Sequence, residues 1–138
     1  VPDNAIPYWL NEGLAEYMSA CRLEGDSVAE TGLVLEGRLD DLRTFVRLNK
    51  GQPLDFPRLM QQTPSQFYSG PVWAKYAQAW AMVHFFVKGA TSATRERYRR
   101  YLGLLREGTP AKEAFEQAWS GADWAGIQQR WWAHVEKL

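Results

Sequence analysis

One segment near the beginning of the chain carries more information than any other: Pro7-Tyr8-Trp9-Leu10-Asn11-Glu12-Gly13-Leu14-Ala15-Glu16-Tyr17. Pro7 suits the first turn of a helix, because its φ angle is fixed and it lacks a backbone N–H. The predicted helix runs from about Tyr8 to about Cys21. Its apolar positions recur at spacings of three and four and form one stripe: Leu10, Leu14, Tyr17, Met18 and Cys21. Glu12 and Glu16 are four residues apart and share the opposite face of this helix.

Two glutamates at this spacing are usually part of a solvated acidic face, because glutamate is almost never buried without a partner. Two features of the segment favour a functional site instead. Trp9 flanks the acidic face, so that side of the helix is not purely polar. Gly13 costs the helix about 1 kcal/mol relative to alanine. A glycine in this position is explained if another group must approach the helix closely.

The segment from Trp9 to Tyr17 resembles the WLNEGxAxY segment of gluzincin metallopeptidases, which include aminopeptidase N relatives and the bacterial peptidase MA-like proteins. In that family a glutamate of this segment is the third zinc ligand and follows an HExxH helix. The resemblance therefore implies that Glu12 ligates zinc, for which a carboxylate oxygen is suitable. It also implies that Glu16 hydrogen-bonds a ligand histidine and fixes its orientation, as a carboxylate does in relatives such as thermolysin.

A second segment, Tyr76-Ala77-Gln78-Ala79-Trp80-Ala81, resembles the helix that holds the catalytic tyrosine of aminopeptidase-type gluzincins. The interval of 64 residues between Glu12 and Tyr76 is similar to the spacing in that family. The resemblance implies that Tyr76 donates a hydrogen bond to the oxyanion of the tetrahedral intermediate. Ala79 stands where the family has glycine. Periodicity alone favours a core role for Tyr76, because it lies on an apolar helical stripe with two tryptophans.

The HExxH motif of the family is missing from this chain. The only two histidines, His84 and His134, are 50 residues apart, and each is predicted to be structural. One carboxylate cannot hold zinc, so we expect no stoichiometric zinc and no peptidase activity from this chain alone. Zinc is expected in the intact protein. The resemblance, together with a first residue that is not Met, predicts a truncated C-terminal part of a larger catalytic domain.

The remaining sequence predicts a mainly α fold, a bundle-like helical subdomain of a zincin-type metallopeptidase that forms one unit over residues 1–138. Helical periodicity recurs in four further segments before the C-terminal helix, and residues 30–36 are predicted to be a short strand or an extended loop. The segment with the clearest helical spacing has its apolar stripe at Trp73, Tyr76, Trp80, Val83 and Val87. Asp123 is predicted to cap the last helix.

Composition narrows the partners that this chain is expected to have. Acidic and basic residues balance at 16 each, which argues against nucleic-acid binding, and the arginines between residues 95 and 106 are interpreted as a solvated helix face. No apolar run reaches the roughly 18–20 residues that span a bilayer. Cys21 is the single cysteine, so an internal disulfide is excluded. No further cofactor motif is present, and the sequence assigns no compartment.

Two main functions stay open at this point. The resemblance implies a zinc-dependent peptidase acting on a peptide or protein substrate in the intact protein. The alternative is an inactive, peptidase-like module that binds a partner in an aromatic groove, and a purely structural helical assembly domain is a third possibility. Loss of the HExxH helix is further expected to expose apolar surface on the Trp9/Gly13 side, through which the chain would self-associate.

Overall fold

The computed structural model describes residues 6–138, and this part of the chain contains eight α-helices and one two-stranded antiparallel sheet. The elements in chain order are α1 (Tyr8–Ser19), β1 (Arg22–Glu24), β2 (Ser27–Glu30), α2 (Glu36–Leu48), α3 (Phe56–Met60), α4 (Pro64–Phe67), α5 (Val72–Lys88), α6 (Ser92–Arg106), α7 (Ala111–Trp119) and α8 (Trp124–Glu136). The mainly helical class is confirmed. The predicted unit begins at residue 1, and its residues 1–5 lie outside the described part. Within that part, no helix has the length and hydrophobicity required to cross a membrane.

Helix α5 forms the centre of the fold, with α1, α2, α6 and α8 packed around it. Its middle, residues 77–86, is an almost continuous apolar run, and a helix that is hydrophobic all round belongs in a protein interior. The predicted single stripe is therefore wrong in part. Trp73 and Val87, near the two ends of the helix, are each 41% exposed, whereas Gln78 and His84 on other faces are buried.

Gly13 allows α1 to lie directly on α5. A Cβ atom at this position would be 2.7 Å from the carbonyl oxygen of Ala79 and 2.9 Å from Cγ2 of Val83. The group that approaches the glycine closely is therefore the neighbouring helix. Trp9 is fully buried in the described structure. The prediction of an exposed apolar surface on the Trp9/Gly13 side, through which the chain would self-associate, is wrong, because α5 covers that side.

The β-hairpin lies on the surface after α1. Leu23 of β1 is paired with Val28 of β2, and every residue of both strands is exposed. The predicted β element near residues 30–36 lies earlier in the chain and reaches only the first residue of that range. The reason is that the next residues bond elsewhere: the carbonyl of Gly32 accepts hydrogen bonds from Lys88 and His84 instead of entering a ladder.

Aromatic rings join the elements around the central helix. The Phe56 ring of α3 lies 5.0 Å from the Trp131 ring of α8 and 6.3 Å from the Phe86 ring of α5, measured between centroids. Phe86 in turn stacks on Tyr98 of α6 at 4.9 Å. Asp123 caps α8 by accepting a hydrogen bond from the Gly126 N–H, which confirms the predicted cap. The core is thus assembled by residues that are distant in the chain.

Candidate functional site

Three tyrosine hydroxyls meet on one surface of the fold, in a group that we call the tyrosine cluster (Tyr8, Tyr68 and Tyr76). Tyr8 begins α1, Tyr68 follows the last residue of α4, and Tyr76 lies in the second turn of α5. The Tyr68 hydroxyl is hydrogen-bonded to the Tyr8 hydroxyl and, at 3.0 Å, to the Tyr76 hydroxyl. Beneath them, the buried Phe67 ring makes edge contacts with Tyr8 at 4.9 Å and with Tyr76 at 5.3 Å.

Tyr68 is the middle member of the cluster, because its hydroxyl is hydrogen-bonded to each of the other two, and in either bond either hydroxyl can be the donor. The pKa of Tyr68 is lowered, first by its hydrogen bond with Tyr76 and then by its bond with Tyr8. The same bonds raise the pKa of Tyr8 and the pKa of Tyr76, in each case with the bond to Tyr68 as the largest cause. An oxygen that accepts from two neighbours is stabilised in its ionised form. Tyr68 is therefore the hydroxyl of the cluster that ionises most readily.

Glu12 lies beside the tyrosine cluster, one helical turn after Tyr8. Its negative charge adds to the rise in the pKa of Tyr8 and of Tyr76 and opposes the lowering of the pKa of Tyr68, in each case as one of the lesser causes. Among the described residues, none forms an ion pair or a hydrogen bond with this carboxylate. The structure thus brings together Glu12 and Tyr76, which are 64 residues apart in the sequence.

Glu16, the other predicted site residue of α1, is paired with Arg38 of α2. Arg38 Nη2 lies 2.7 Å from Glu16 Oε1 and Arg38 Nε lies 3.3 Å from Glu16 Oε2, so the guanidinium contacts both carboxylate oxygens. The hydrogen bond to Glu16 is also the largest cause that raises the pKa of Arg38. The same guanidinium lies over the Tyr76 ring, 5.2 Å from its centroid. Arg38 therefore links Glu16 to the tyrosine cluster.

We expect a double-mutant cycle on Glu16→Gln and Arg38→Gln to give a coupling free energy of about 1 kcal/mol, because a two-pronged, partly buried ion pair exceeds the usual surface pair. The measurement is urea unfolding of the four proteins. A matched control is the pair Glu96–Arg99 of α6, separated by 3.5 Å with side chains 75% and 66% exposed. Its coupling should be no more than a few tenths of a kcal/mol. Equal coupling in both pairs would refute the prediction.

The histidines lie away from this surface. His84 Nδ1 and His134 Nε2 are 2.9 Å apart and hydrogen-bonded to each other, and His84 Nε2 is 3.1 Å from the Gly32 carbonyl oxygen. His84 is eight residues beyond Tyr76 on the same helix, about 12 Å along its axis. In residues 6–138 no group of three or more His, Cys, Asp or Glu side chains is placed to hold a metal ion.

Sequence reasoning missed three members of this site. Tyr8 lies inside the segment that was singled out, and its spacing of four from Glu12 would have placed both on one helix face. Tyr68 and Arg38 had no comparable signal, because their position depends on how α2 and α4 pack against α1 and α5.

Tyr8 also lines an open groove of about 540 Å³. Most of the other lining residues are apolar, among them Ile6, Met60 and Phe115.

Comparison with known proteins adds one finding. The model of a family described as "Protein of unknown function (DUF1570)" matches residues 2–111, which include Glu12, Glu16 and Tyr76. No curated protein and no solved structure matches the chain.

Proposed function

The chain belongs to the DUF1570 family, and we propose that it forms one wall of the active site of a zinc-dependent peptidase of gluzincin type. In the intact protein this site would hydrolyse peptide bonds. The observation that carries the proposal is that Glu12 of α1 and Tyr76 of α5 lie on two helices packed against each other, with the Glu12 charge acting on the Tyr76 hydroxyl. These are the two residues that the family resemblance assigns to the metal and to the oxyanion, and the fold brings them to one surface.

The other zinc ligands would have to come from outside the described residues. Within the described part, no three metal-ligating side chains come together, and a catalytic zinc requires about three protein ligands. Glu12 fits the part of a single ligand, because its carboxylate is half-buried and has no partner among the described residues. The other ligands and the general base would come from an HExxH segment outside this chain. Glu16 would use its remaining lone pairs to orient a ligand histidine.

The tyrosine cluster suggests how Tyr76 would act. The Tyr76 hydroxyl lies 3.0 Å from the Tyr68 hydroxyl, and its proton has to point away from Tyr68 when it serves another acceptor. When a developing oxyanion lies beside Tyr76, the three hydroxyls would form one directed chain: Tyr8 donates to Tyr68, Tyr68 donates to Tyr76, and Tyr76 donates to the oxyanion. Hydrogen bonds in such a chain polarise and strengthen one another. Tyr68 and Tyr8 would thus act as positioning residues behind Tyr76.

The Arg38 guanidinium would contribute in a different way. Its contact with the face of the Tyr76 ring holds that ring in place, and such cation–π contacts are worth about 0.5–1 kcal/mol at exposed sites. Its positive charge also favours negative charge developing nearby. Because Glu16 holds Arg38 from the other side, the ring, the guanidinium and the carboxylate form one ordered unit on the wall of the site.

The second candidate function is an inactive module that binds a peptide. The observation in its favour is the groove beside Tyr8, whose size falls within the range of ligand pockets, roughly 300–1,000 Å³, and whose lining is mainly apolar. In this alternative the protein keeps the peptidase-like fold, binds a peptide in the groove, and holds no metal. The two functions differ in metal content, so one set of proteins separates them.

The test is zinc content and peptidase activity of the full-length protein and of three variants. We expect Glu12→Gln to lose zinc and activity together. Tyr76→Phe should retain zinc and lose activity by about 100- to 1,000-fold, the usual effect of removing one oxyanion donor. Glu24→Gln is the matched control, since Glu24 is an exposed glutamate of the hairpin, and it should retain both properties.

Two outcomes would contradict the peptidase proposal. The first is a full-length protein that holds no zinc, and the second is a Glu12→Gln variant that retains both zinc and activity. Either result would make the peptide-binding module the better explanation. A zinc enzyme in which Tyr76→Phe is fully active would leave Glu12 in place and remove the role given to the tyrosine cluster.

A further inference from the structure

A shallow cleft of about 540 Å³ lies on the side of Phe67 that faces Lys75, and we call it the basic cleft; it is lined by Arg58, Gln61, Gln62, Gln66, Ser69 and Lys75. Two of these side chains are cations, and none is an acid. The remaining side chains are amides and a hydroxyl, all of which can donate hydrogen bonds. The lining therefore offers positive charge and donors with no anionic group of its own.

Lys75 is the fixed point of the basic cleft. Although it is a lysine, it is only 5% exposed. Its ammonium donates hydrogen bonds of 2.7 Å to the carbonyl oxygens of Gln66 and Ser69 and lies 5.9 Å from the centre of the Phe67 ring. These contacts hold the side chain in one position and use two of its three N–H donors. Burial of an ammonium group without a nearby negative charge is costly.

Lys75 could have a purely structural role, because its two hydrogen bonds tie down the loop after α4. That role does not account for Arg58. The Arg58 charge adds to the effect of burial in lowering the pKa of Lys75, so two cations lie near each other. In the described part of the chain neither cation forms an ion pair. The carboxylate of Asp55 caps α3 by accepting a hydrogen bond from the Arg58 backbone N–H.

We propose that the basic cleft binds a small oxyanion, a carboxylate or phosphate group, between the Arg58 guanidinium and the Lys75 ammonium. The planar guanidinium is suited to grip two oxygens of such a group, and the ammonium supplies a point charge with one free N–H. An oxyanion in this place offsets the repulsion between the two cations. The exposed Arg58 side chain can close on the ligand, while the held Lys75 sets where the ligand lies.

A buried amide in the lining also fits an oxyanion. The Gln62 Oε1 atom is buried and has no hydrogen-bond partner among the described residues. Rotation of this amide by half a turn exchanges the oxygen for an NH₂ group and converts the position into a donor. The Ser69 hydroxyl lines the same cleft. The proposal does not depend on the peptidase function, because none of the residues that line the basic cleft belongs to the tyrosine cluster.

The experiment is a titration of the chain with inorganic sodium phosphate at constant ionic strength, followed by backbone amide chemical shifts. We expect saturable shifts that are concentrated in residues 58–75. Arg58→Gln should weaken binding by about tenfold or more, because it removes a charge-assisted, two-pronged contact. Arg58 is exposed, so this variant should remain folded. Arg100→Gln is the matched control on the exposed face of α6 and should bind like the unmodified chain.

A second pair of ligands identifies the source of the oxyanion. A short acetylated peptide with a free C-terminal carboxylate is compared with the same peptide carrying a C-terminal amide. Binding of the free acid alone assigns the cleft to peptide carboxylates, and binding of phosphate alone assigns it to free phosphate; either result supports the proposal. No saturable binding of any ligand, or equal weakening in Arg58→Gln and Arg100→Gln, would overturn it.

Discussion

Gly13→Ala is expected to lower the free energy of unfolding by about 2–3 kcal/mol, although alanine is the better helix former. The added methyl group would lie 2.7 Å from the Ala79 carbonyl oxygen and 2.9 Å from Val83 Cγ2. The first of these atoms belongs to the backbone of the central helix, which cannot move without disturbing the helices packed around it. The most extensive contact between elements, that of α1 with α5, would have to open to admit one methyl group.

Gly103→Ala provides the control, and its effect should have the opposite sign. Gly103 also lies inside a helix, α6, but a Cβ there meets no atom within 4 Å. Alanine should therefore add about 0.5–1 kcal/mol of stability through helix propensity alone. Both variants are compared with the unmodified chain by urea unfolding. If Gly13→Ala proved neutral or stabilising, the two helices would have to be further apart than the structure has them.

The sequence predicted six of the eight helices in the described part, because each of the six has a local signal, and it missed the short helices α3 and α4. Apolar spacing located α1 and α5, and Asp123 marked the start of α8. Partners of each helix face were harder to predict, since a buried helix such as α5 is apolar on several faces and its sequence pattern does not name the neighbours. The glycine in α1 shows the same limit. Its helix cost suggested a close approach, but the sequence did not say that α5 makes it.

The candidate site divides in the same way. Glu12, Glu16 and Tyr76 were predicted because motif-like segments surround them, and their assigned roles stay predictions. Arg38 lies in α2 with no motif around it, and only tertiary packing brings its guanidinium to Glu16 and Tyr76. Tyr68 follows a helix of four residues whose position depends on its neighbours. A residue whose contacts are with side chains of other helices, as those of Arg38 and Tyr68 are, is not marked by any periodic pattern in the sequence.

The histidines illustrate a case in which the sequence predicted the type of role and missed the partner. His84 was predicted to be structural, and the structure surrounds it with groups from four parts of the fold. His134 of α8 lies 2.9 Å from its Nδ1, and the Gly32 carbonyl lies 3.1 Å from its Nε2. Lys88 shares the same carbonyl oxygen at 3.1 Å. The Tyr17 ring of α1 is 6.1 Å away between centroids.

These contacts fix the protonation state of His84. A carbonyl can only accept, so Nε2 donates to Gly32, and Nδ1 of a neutral ring then accepts from the His134 Nε2–H. A proton added to Nδ1 would face the N–H of His134. The pKa of His84 is lowered from 6.5 to about 4, mainly by burial and then by the nearby charges of His134 and Lys88, while the hydrogen bond to the Gly32 carbonyl opposes the shift.

We therefore expect stability to fall as the pH is lowered from 6.5 to 4. In this window the unfolded chain, with a histidine pKa of 6.5, binds a proton that the folded chain does not bind, and this favours unfolding. The full stability is present above pH 6.5, and by pH 4 the uptake of a proton by His84 in the unfolded chain lowers the free energy of unfolding by roughly 3 kcal/mol.

His84→Gln isolates this contribution, because glutamine can still donate to Gly32 but does not titrate. Urea unfolding from pH 7 to pH 4 should show the advantage of the unmodified chain over His84→Gln shrinking by that amount, since the carboxylates titrate alike in both. An advantage that stays constant with pH would mean that His84 accepts its proton in the folded protein without penalty.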